Sequence, residues 1–200
     1  EQKASTDTIA VTPDNELFRD NNGRLVFRPG GHGALIENLN DLNSEVVFIK
    51  NIDNVVADSH RADTVRYKQV IGGLLMLVRD TVLDFIKELS VPGVAAARLD
   101  AAASFLSEVL YTRYVGLEDL PCEERRLVLL ELLDRPLRVC GMVRNDGEPG
   151  GGPYNAYSSD GYTVAPQILE STQIDLSRAE NVEMMAKATH FNPVDLVCCL

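Results

Sequence analysis

The sequence predicts an α/β fold in one domain over residues 1–200, and three features indicate it. Residues 46–49 form a continuous β-branched and aromatic run, which is typical of a central strand covered on both faces. Residues 64–89 repeat apolar side chains at helical spacing. Gly-rich turns at residues 30–33 and 144–153 interrupt the regular segments. We therefore expect a mixed sheet whose strands end in ligand-binding loops, as in open α/β folds.

The segment before residue 46 predicts a hairpin, a glycine turn and a short helix. Leu17-Phe18 and residues 24–28 flank the Asn22-Gly23 turn signal, and they could pair across it. Apolar residues at helical spacing predict a short helix over residues 34–42. The N-terminus of that helix would point backbone N–H groups towards whatever the glycine turn approaches.

A helical insertion is predicted over residues 60–135. Helices are expected at residues 64–89, 95–111 and 121–133, where Pro121 suits the first helical turn. Roughly seventy residues of helix between two strands form a subdomain or an insertion.

The remainder returns to strands. Strands are expected at residues 137–143, 164–169 and 194–200, and Ser177 is expected to cap a helix that runs to about residue 189. The Gly-rich segment 144–153 is too rich in glycine and proline for regular structure.

Composition excludes several classes of function. The net charge of −11 and a pI near 4.7 argue against nucleic-acid binding, which needs clustered lysine and arginine. No apolar run is long enough for a membrane span, and no signal peptide is visible, so a cytoplasmic location is expected. The four cysteines are interpreted as buried small hydrophobes in a reducing compartment. The oligomeric state stays open.

Polar or Gly-rich loops follow several predicted strands, and in one mixed sheet they could converge on one edge. Gly31 and Gly33 would let backbone N–H groups approach a phosphate closely. Asp53, between Asn51 and Asn54, suits Mg²⁺, which keeps waters and bridges to substrate phosphate. Glu170 beside a glycine loop suits sugar hydroxyls. Taken singly, His32 could be a plain surface residue and Asp53 a helix cap.

The order of these motifs resembles nucleotide-diphospho-sugar pyrophosphorylases, especially the uridylyltransferases for UDP-sugars. The matching residues are Pro29, Gly31, His32 and Gly33, then Asn51, Asp53 and Asn54. Residues 167–174 are similar to the sugar-binding segment of those enzymes, and residues 190–192 to their Phe-Asn segment. Over its whole length the chain resembles an uncharacterised bacterial domain family that looks like a remote relative of these enzymes.

The resemblance implies a Rossmann-like nucleotide-diphospho-sugar transferase fold and a set of residue roles. Its implied reaction is attack of a sugar-1-phosphate on the α-phosphate of an NTP. The resemblance implies that Asp53 holds the metal and that Gly31, His32 and Gly33 contact the nucleotide base or sugar. It also implies that Glu170, with Gly151 or Gly152, contacts the transferred sugar. Asn51, Asn54 and Asn192 are expected to bind substrate as well.

One departure from those enzymes matters. No Gly-rich triphosphate loop precedes Phe27, so the chain is expected to be either a piece of a longer protein or a domain without this chemistry. Two alternatives stay open: a non-catalytic binding or structural domain on the same scaffold, and a metal-dependent hydrolase of sugar phosphates that uses Asp53.

Overall fold

A computed structural model of the chain describes residues 2–147 and 150–199, and for His32 the backbone alone. The chain divides into two compact units, Glu1–Glu45 and Val46–Leu200. Helices and small antiparallel sheets both occur, so the predicted mixed α/β class is confirmed.

The N-terminal unit contains the predicted hairpin. Arg19 and Leu25 form an antiparallel bridge across a turn in which the N–H of Gly23 donates to the carbonyl of Asp20 at 2.9 Å. Gly23 has φ +76°, a conformation that glycine adopts without strain. A further strand, β1 (Thr8–Ile9), pairs antiparallel with β2 (Phe27–Arg28).

The predicted short helix follows the glycine turn. A 3₁₀ turn, His32–Leu35, continues directly into α1 (Ile36–Leu39). A side chain at Gly30 would be tightly packed, since a Cβ there would lie 3.1 Å from both Ala34 Cβ and the carbonyl oxygen of Thr6. Glycine at position 30 therefore allows the turn to lie against the start of the chain.

The C-terminal unit begins with a strand and continues with three helices. In chain order its elements are β3 (Val46–Lys50), α2 (Arg61–Leu89), α3 (Ala96–Glu108), β4 (Arg113–Tyr114), α4 (Cys122–Leu133), β5 (Leu137–Cys140), β6 (Val143–Arg144), β7 (Gly152–Tyr157), β8 (Thr163–Leu169), α5 (Ala179–Ala186), β9 (His190–Phe191) and β10 (Asp195–Cys199). The three helices predicted between residues 60 and 135 are confirmed. Helix α5 starts one residue later than a cap at Ser177 predicts, because the Ser177 hydroxyl bonds Asp175 instead of capping the helix. It ends at Ala186, before the expected residue 189.

The strands of the C-terminal unit form three separate antiparallel sheets in the described residues. Their strand orders are β3-β10-β5, β4-β8-β7 and β6-β9. The prediction of a single mixed sheet is therefore wrong, because the strands are divided among small sheets and each pair runs antiparallel. Strand β10 pairs with β3 on one side and with β5 on the other, and both pairings join segments far apart in sequence.

The strand expected to be central, β3, lies at a sheet edge. Phe48 on β3 is 48% exposed, whereas Val197 on the central strand β10 is fully buried. The prediction of a strand covered on both faces is wrong because an apolar run records hydrophobicity and carries no information on the number of strand partners. The Phe48 ring lies against Gly72 of α2, where a Cβ would come within 2.8 Å of it.

The main core lies among α2, α3 and α4. Leu89, Leu99 and Leu129 are almost completely buried there, as the helical spacing predicts. One buried cation, Arg126, closes the core at the end of α2, where its guanidinium donates to the Leu89 carbonyl and to the Glu123 carboxylate. Arg126 thereby satisfies a terminal helix carbonyl that has no partner within α2.

Candidate functional site

The loop after β3 is fixed onto the turn that precedes β10. The Asn51 N–H donates to the Val194 carbonyl at 2.9 Å, and the Asn54 N–H donates to the Asn51 carbonyl at 3.1 Å. The side-chain amide of Asn54 donates to the Pro193 carbonyl. Asn51 and Asn54 therefore bind the protein's own backbone and shape the 3₁₀ turn Ile52–Asn54.

Asp53 lies at the exposed surface of this loop. The Asn51 side-chain amide is 3.4 Å from Asp53 Oδ2, and the neighbouring Ile52 is 78% exposed. Within the described residues, no three His, Cys, Asp or Glu side chains are grouped so that they could hold a metal ion. Asp53 thus offers one accessible carboxylate with an amide beside it.

Asn192 is buried at the turn before β10, with only 5% of its surface exposed. Its Nδ2 donates to the Gly141 carbonyl at 2.7 Å, and its Oδ1 accepts from the Val194 N–H at 3.0 Å. Its backbone N–H donates to the Gly151 carbonyl at 2.9 Å. Both ends of the Asn192 amide are therefore used within the protein.

Gly151, Gly152 and Glu170 meet at the end of the β7–β8 pair. Gly152 pairs with Leu169 in the strand register, so Glu170 comes next to Gly151. A Cβ at Gly151 would lie 3.2 Å from Glu170 Oε1. The Glu170 N–H donates to Gln173 Oε1 at 2.9 Å, which orders the turn that follows β8.

The predicted site residues of the C-terminal unit are thus linked in one series of contacts. Asn54 reaches Pro193, Asn192 reaches Gly151, and Glu170 stands beside Gly151. Gly31, His32 and Gly33 form the start of the 3₁₀ turn in the N-terminal unit. Glu148 and Pro149 of the predicted Gly-rich loop lie outside the described residues.

Sequence reasoning missed a charged group at the same strand end. Lys50 Nζ lies 3.5 Å from Asp195 Oδ2, and Lys68 of α2 forms an ion pair with Asp195 Oδ1. All three side chains are three-quarters or more buried, and two ammonium groups share one carboxylate. The register Lys50 opposite Asp195 could have been found only from the β3–β10 pairing, since the sequence separates the two residues widely.

The cysteines differ from the sequence interpretation. Cys122 is exposed at the start of α4, so the expectation that all four are buried is wrong for this residue. Burial raises the pKa of the Cys140 thiol and of the Cys198 thiol above the usual value. Desolvation disfavours the thiolate, and therefore both groups are poor nucleophiles.

Two pockets of the C-terminal unit are lined by none of the predicted site residues. One, of about 600 Å³, is lined by polar groups of α3, β4 and α4, and Arg125 there contacts Asp100 at 2.8 Å. The other, of about 910 Å³, is largely apolar. No sequence pattern predicts either pocket, because each is built by side chains from five or more separate segments.

The fold and the site define a mixed α/β domain with a polar loop at one strand end. The chain belongs to the protein family described as a domain of unknown function (DUF4301), which matches residues 1–200. The expected membership of an uncharacterised domain family is therefore confirmed. No curated protein and no solved structure matches the chain. In the part of the chain that the structure describes, none of the helices combines the length and the apolar character needed to cross a bilayer.

Proposed function

We propose that this domain binds a nucleotide or a sugar phosphate with Mg²⁺ at the loop that carries Asp53. The observation that carries the proposal is the series of contacts from Asn54 through Asn192 to Gly151 and Glu170. Residues from three distant parts of the sequence meet there, with Asn54 and Asn192 linked by hydrogen bonds and Glu170 placed beside Gly151. Such convergence at strand ends is typical of ligand sites in α/β proteins.

The charges near this loop favour a phosphate. Lys50 and Lys68 supply two positive charges against the one negative charge of Asp195. This group of three is therefore positive in a chain whose net charge is −11, and Asp53 beside it supplies the negative charge that would bind the metal. Because both ammonium groups are mostly withdrawn from water, their field is screened less than that of surface lysines.

Asp53 is suited to a magnesium site in which the substrate phosphate supplies further ligands. Mg²⁺ is usually held by one or two carboxylates together with waters and phosphate oxygens. Asp53 is exposed, and the amide of Asn51 lies beside it. Asp53 would hold the metal and Asn51 would orient the carboxylate, while bound Mg²⁺ would supply charge neutralisation at the phosphate.

The reaction that the resemblance suggests is NTP:sugar-1-phosphate nucleotidyl transfer. Glu170, next to Gly151, would accept hydrogen bonds from sugar hydroxyls. We also propose that the domain is a Rossmann-like relative of the nucleotide-diphospho-sugar pyrophosphorylases.

A non-catalytic binding domain is the second candidate, and one observation favours it. Asn51, Asn54 and Asn192 all use side-chain amides within the protein, which leaves Asp53 as the main exposed polar group of the loop. A site with one free carboxylate can bind a metal–phosphate complex without catalysing transfer.

Thermal unfolding with UTP and MgCl₂ tests the binding proposal. A ligand at 100 times its Kd stabilises by about 2.7 kcal/mol, which raises Tm by roughly 5–10 °C for a chain of this size. Asp53→Asn should abolish the magnesium-dependent part of that rise. The matched control is Asp84→Asn, an exposed carboxylate on α2, which should leave it unchanged.

An unaltered rise in Asp53→Asn would show that the metal assignment is wrong. Pyrophosphate release with a panel of sugar-1-phosphates then distinguishes a transferase from a binder. Release of inorganic phosphate from the sugar phosphate alone would identify a hydrolase instead.

A further inference from the structure

The apolar pocket of about 910 Å³ lies wholly in the C-terminal unit and involves none of the residues discussed for phosphate binding. Its walls come from α2, the segment after α3, α4, β5 and the β7–β8 pair. Representative apolar side chains of the lining are Leu74, Val78, Val109, Leu133, Val139 and Ile168. A mostly apolar concavity of this size with a few polar groups is typical of small-molecule sites.

The pocket has a fixed floor and an apolar mouth. Val78 and Leu133 in the floor belong to the buried helical core, so this surface is held by packing. Leu74, Val109 and Met142 also line the pocket but are exposed. An occupant with an apolar body would remove these side chains from water, which is favourable in proportion to the area covered.

The charged groups of the lining indicate the polar end of the occupant. Arg135 and Arg138 line the pocket with a single acidic residue, Glu108, so the local balance is positive. Arg138 Nη2 lies 3.2 Å from Gln167 Oε1, which orients the guanidinium. A planar guanidinium is well suited to a carboxylate, since two parallel N–H groups can bond its two oxygens.

Tyr111 also lines the pocket. Its φ is +52°, an uncommon conformation for a bulky residue, and its side chain is 66% exposed although it lines the pocket. Tyr111 belongs to the turn that ends α3, where the Thr112 N–H donates to the Leu106 carbonyl at 2.8 Å. The exposed Tyr111 ring adds apolar surface to the lining that an occupant would remove from water.

We propose that this pocket binds a small aliphatic carboxylate, with the chain in the apolar cavity and the carboxylate on Arg138. The proposal is separate from the phosphate-binding function, because it uses other residues and requires no metal.

Binding is measured by calorimetry with octanoate, decanoate and dodecanoate below their micelle concentrations. We expect one site per chain and an affinity that rises about fourfold for each added methylene. A tryptophan reporter locates the site, because the chain contains no tryptophan. Emission of Leu74→Trp should shift to the blue with dodecanoate. Emission of Leu83→Trp, which lies on the opposite side of α2, should not change.

The head-group assignment has its own control. Arg138→Gln should weaken dodecanoate binding roughly tenfold and leave dodecanol binding unchanged, because only the carboxylate uses the guanidinium. Arg61→Gln removes an exposed cation that does not line the pocket and should have no effect on either ligand.

Several results would overturn the inference. These are the absence of saturable binding, equal affinity for dodecanoate and dodecyltrimethylammonium, or a loss of affinity in Arg61→Gln as large as in Arg138→Gln. A concentration-dependent dimer that abolishes binding would show that a second copy of the chain covers the pocket. Loss of these signals leaves the UTP and Mg²⁺ response unaffected, so the two proposals fail independently.

Discussion

Replacing Asn192 with alanine should destabilise the protein even without a ligand. The change removes the bond to the Gly141 carbonyl and the bond from the Val194 N–H. Each leaves a partly buried backbone group without its partner, at about 1–1.5 kcal/mol per bond. The free energy of unfolding should therefore fall by about 2–3 kcal/mol, which is a Tm decrease of roughly 5–10 °C.

Urea unfolding followed by circular dichroism measures this effect, and Asn155→Ala is the matched control. Asn155 is exposed on β7, so its substitution should change stability by less than about 0.5 kcal/mol. Asn192→Asp separates the two bonds, since the carboxylate still accepts from Val194 but no longer donates to Gly141. An Asn192→Ala protein as stable as Asn155→Ala, with a defect only in ligand binding, would refute the structural role argued here.

Two further predictions concern α2 and the β7–β8 turn. Gly73→Ala should raise the free energy of unfolding by about 0.5–1 kcal/mol, because alanine has a higher helix propensity than glycine. Gly72→Ala should raise it by less, because the new Cβ would contact the Phe48 ring. Equal urea midpoints for the two variants would contradict this prediction. Hydrogen bonds from Thr163 hold the pKa of Asp160 below its usual value. Asp160→Asn should therefore lower stability at neutral pH, and its difference from the parent should shrink as the pH falls through the folded-state pKa. Urea titrations at several pH values measure that difference; a gap that persists in acid would contradict it.

The helices could be predicted because their signal is local. In α3 the side chains that repeat at 3.6-residue spacing, such as Leu99 and Leu106, become buried, whereas Val70 and Leu77 of the α2 repeat stay exposed. The caps were less predictable. Ser177 looked like an N-cap, but its hydroxyl is used by Asp175 only two residues earlier, and α5 begins at Ala179. Competing local hydrogen bonds of this kind are typical of serine and aspartate.

The sheets could not be predicted to the same extent, because strand partners are not local. Residues 46–49 are apolar enough for a central strand, yet β10 occupies the centre and β3 an edge. Strand β10 is only five residues long, and its first residue is the charged Asp195. Its position depends on pairing with two strands that precede it by more than fifty residues. No periodicity within a single segment records that choice.

The candidate site shows the same difference: its residue types could be predicted from the sequence, but their contacts could not. The sequence identified loops rich in amides, glycine and carboxylate, but it could not distinguish polar groups that bind a ligand from those that bind the chain itself. Asn54 and Asn192 turn inward to backbone carbonyls, while Asp53 stays exposed. Because the inward bonds do not involve Asp53, its substitution should test ligand binding without disturbing the scaffold, whereas substitution of Asn192 tests the scaffold first.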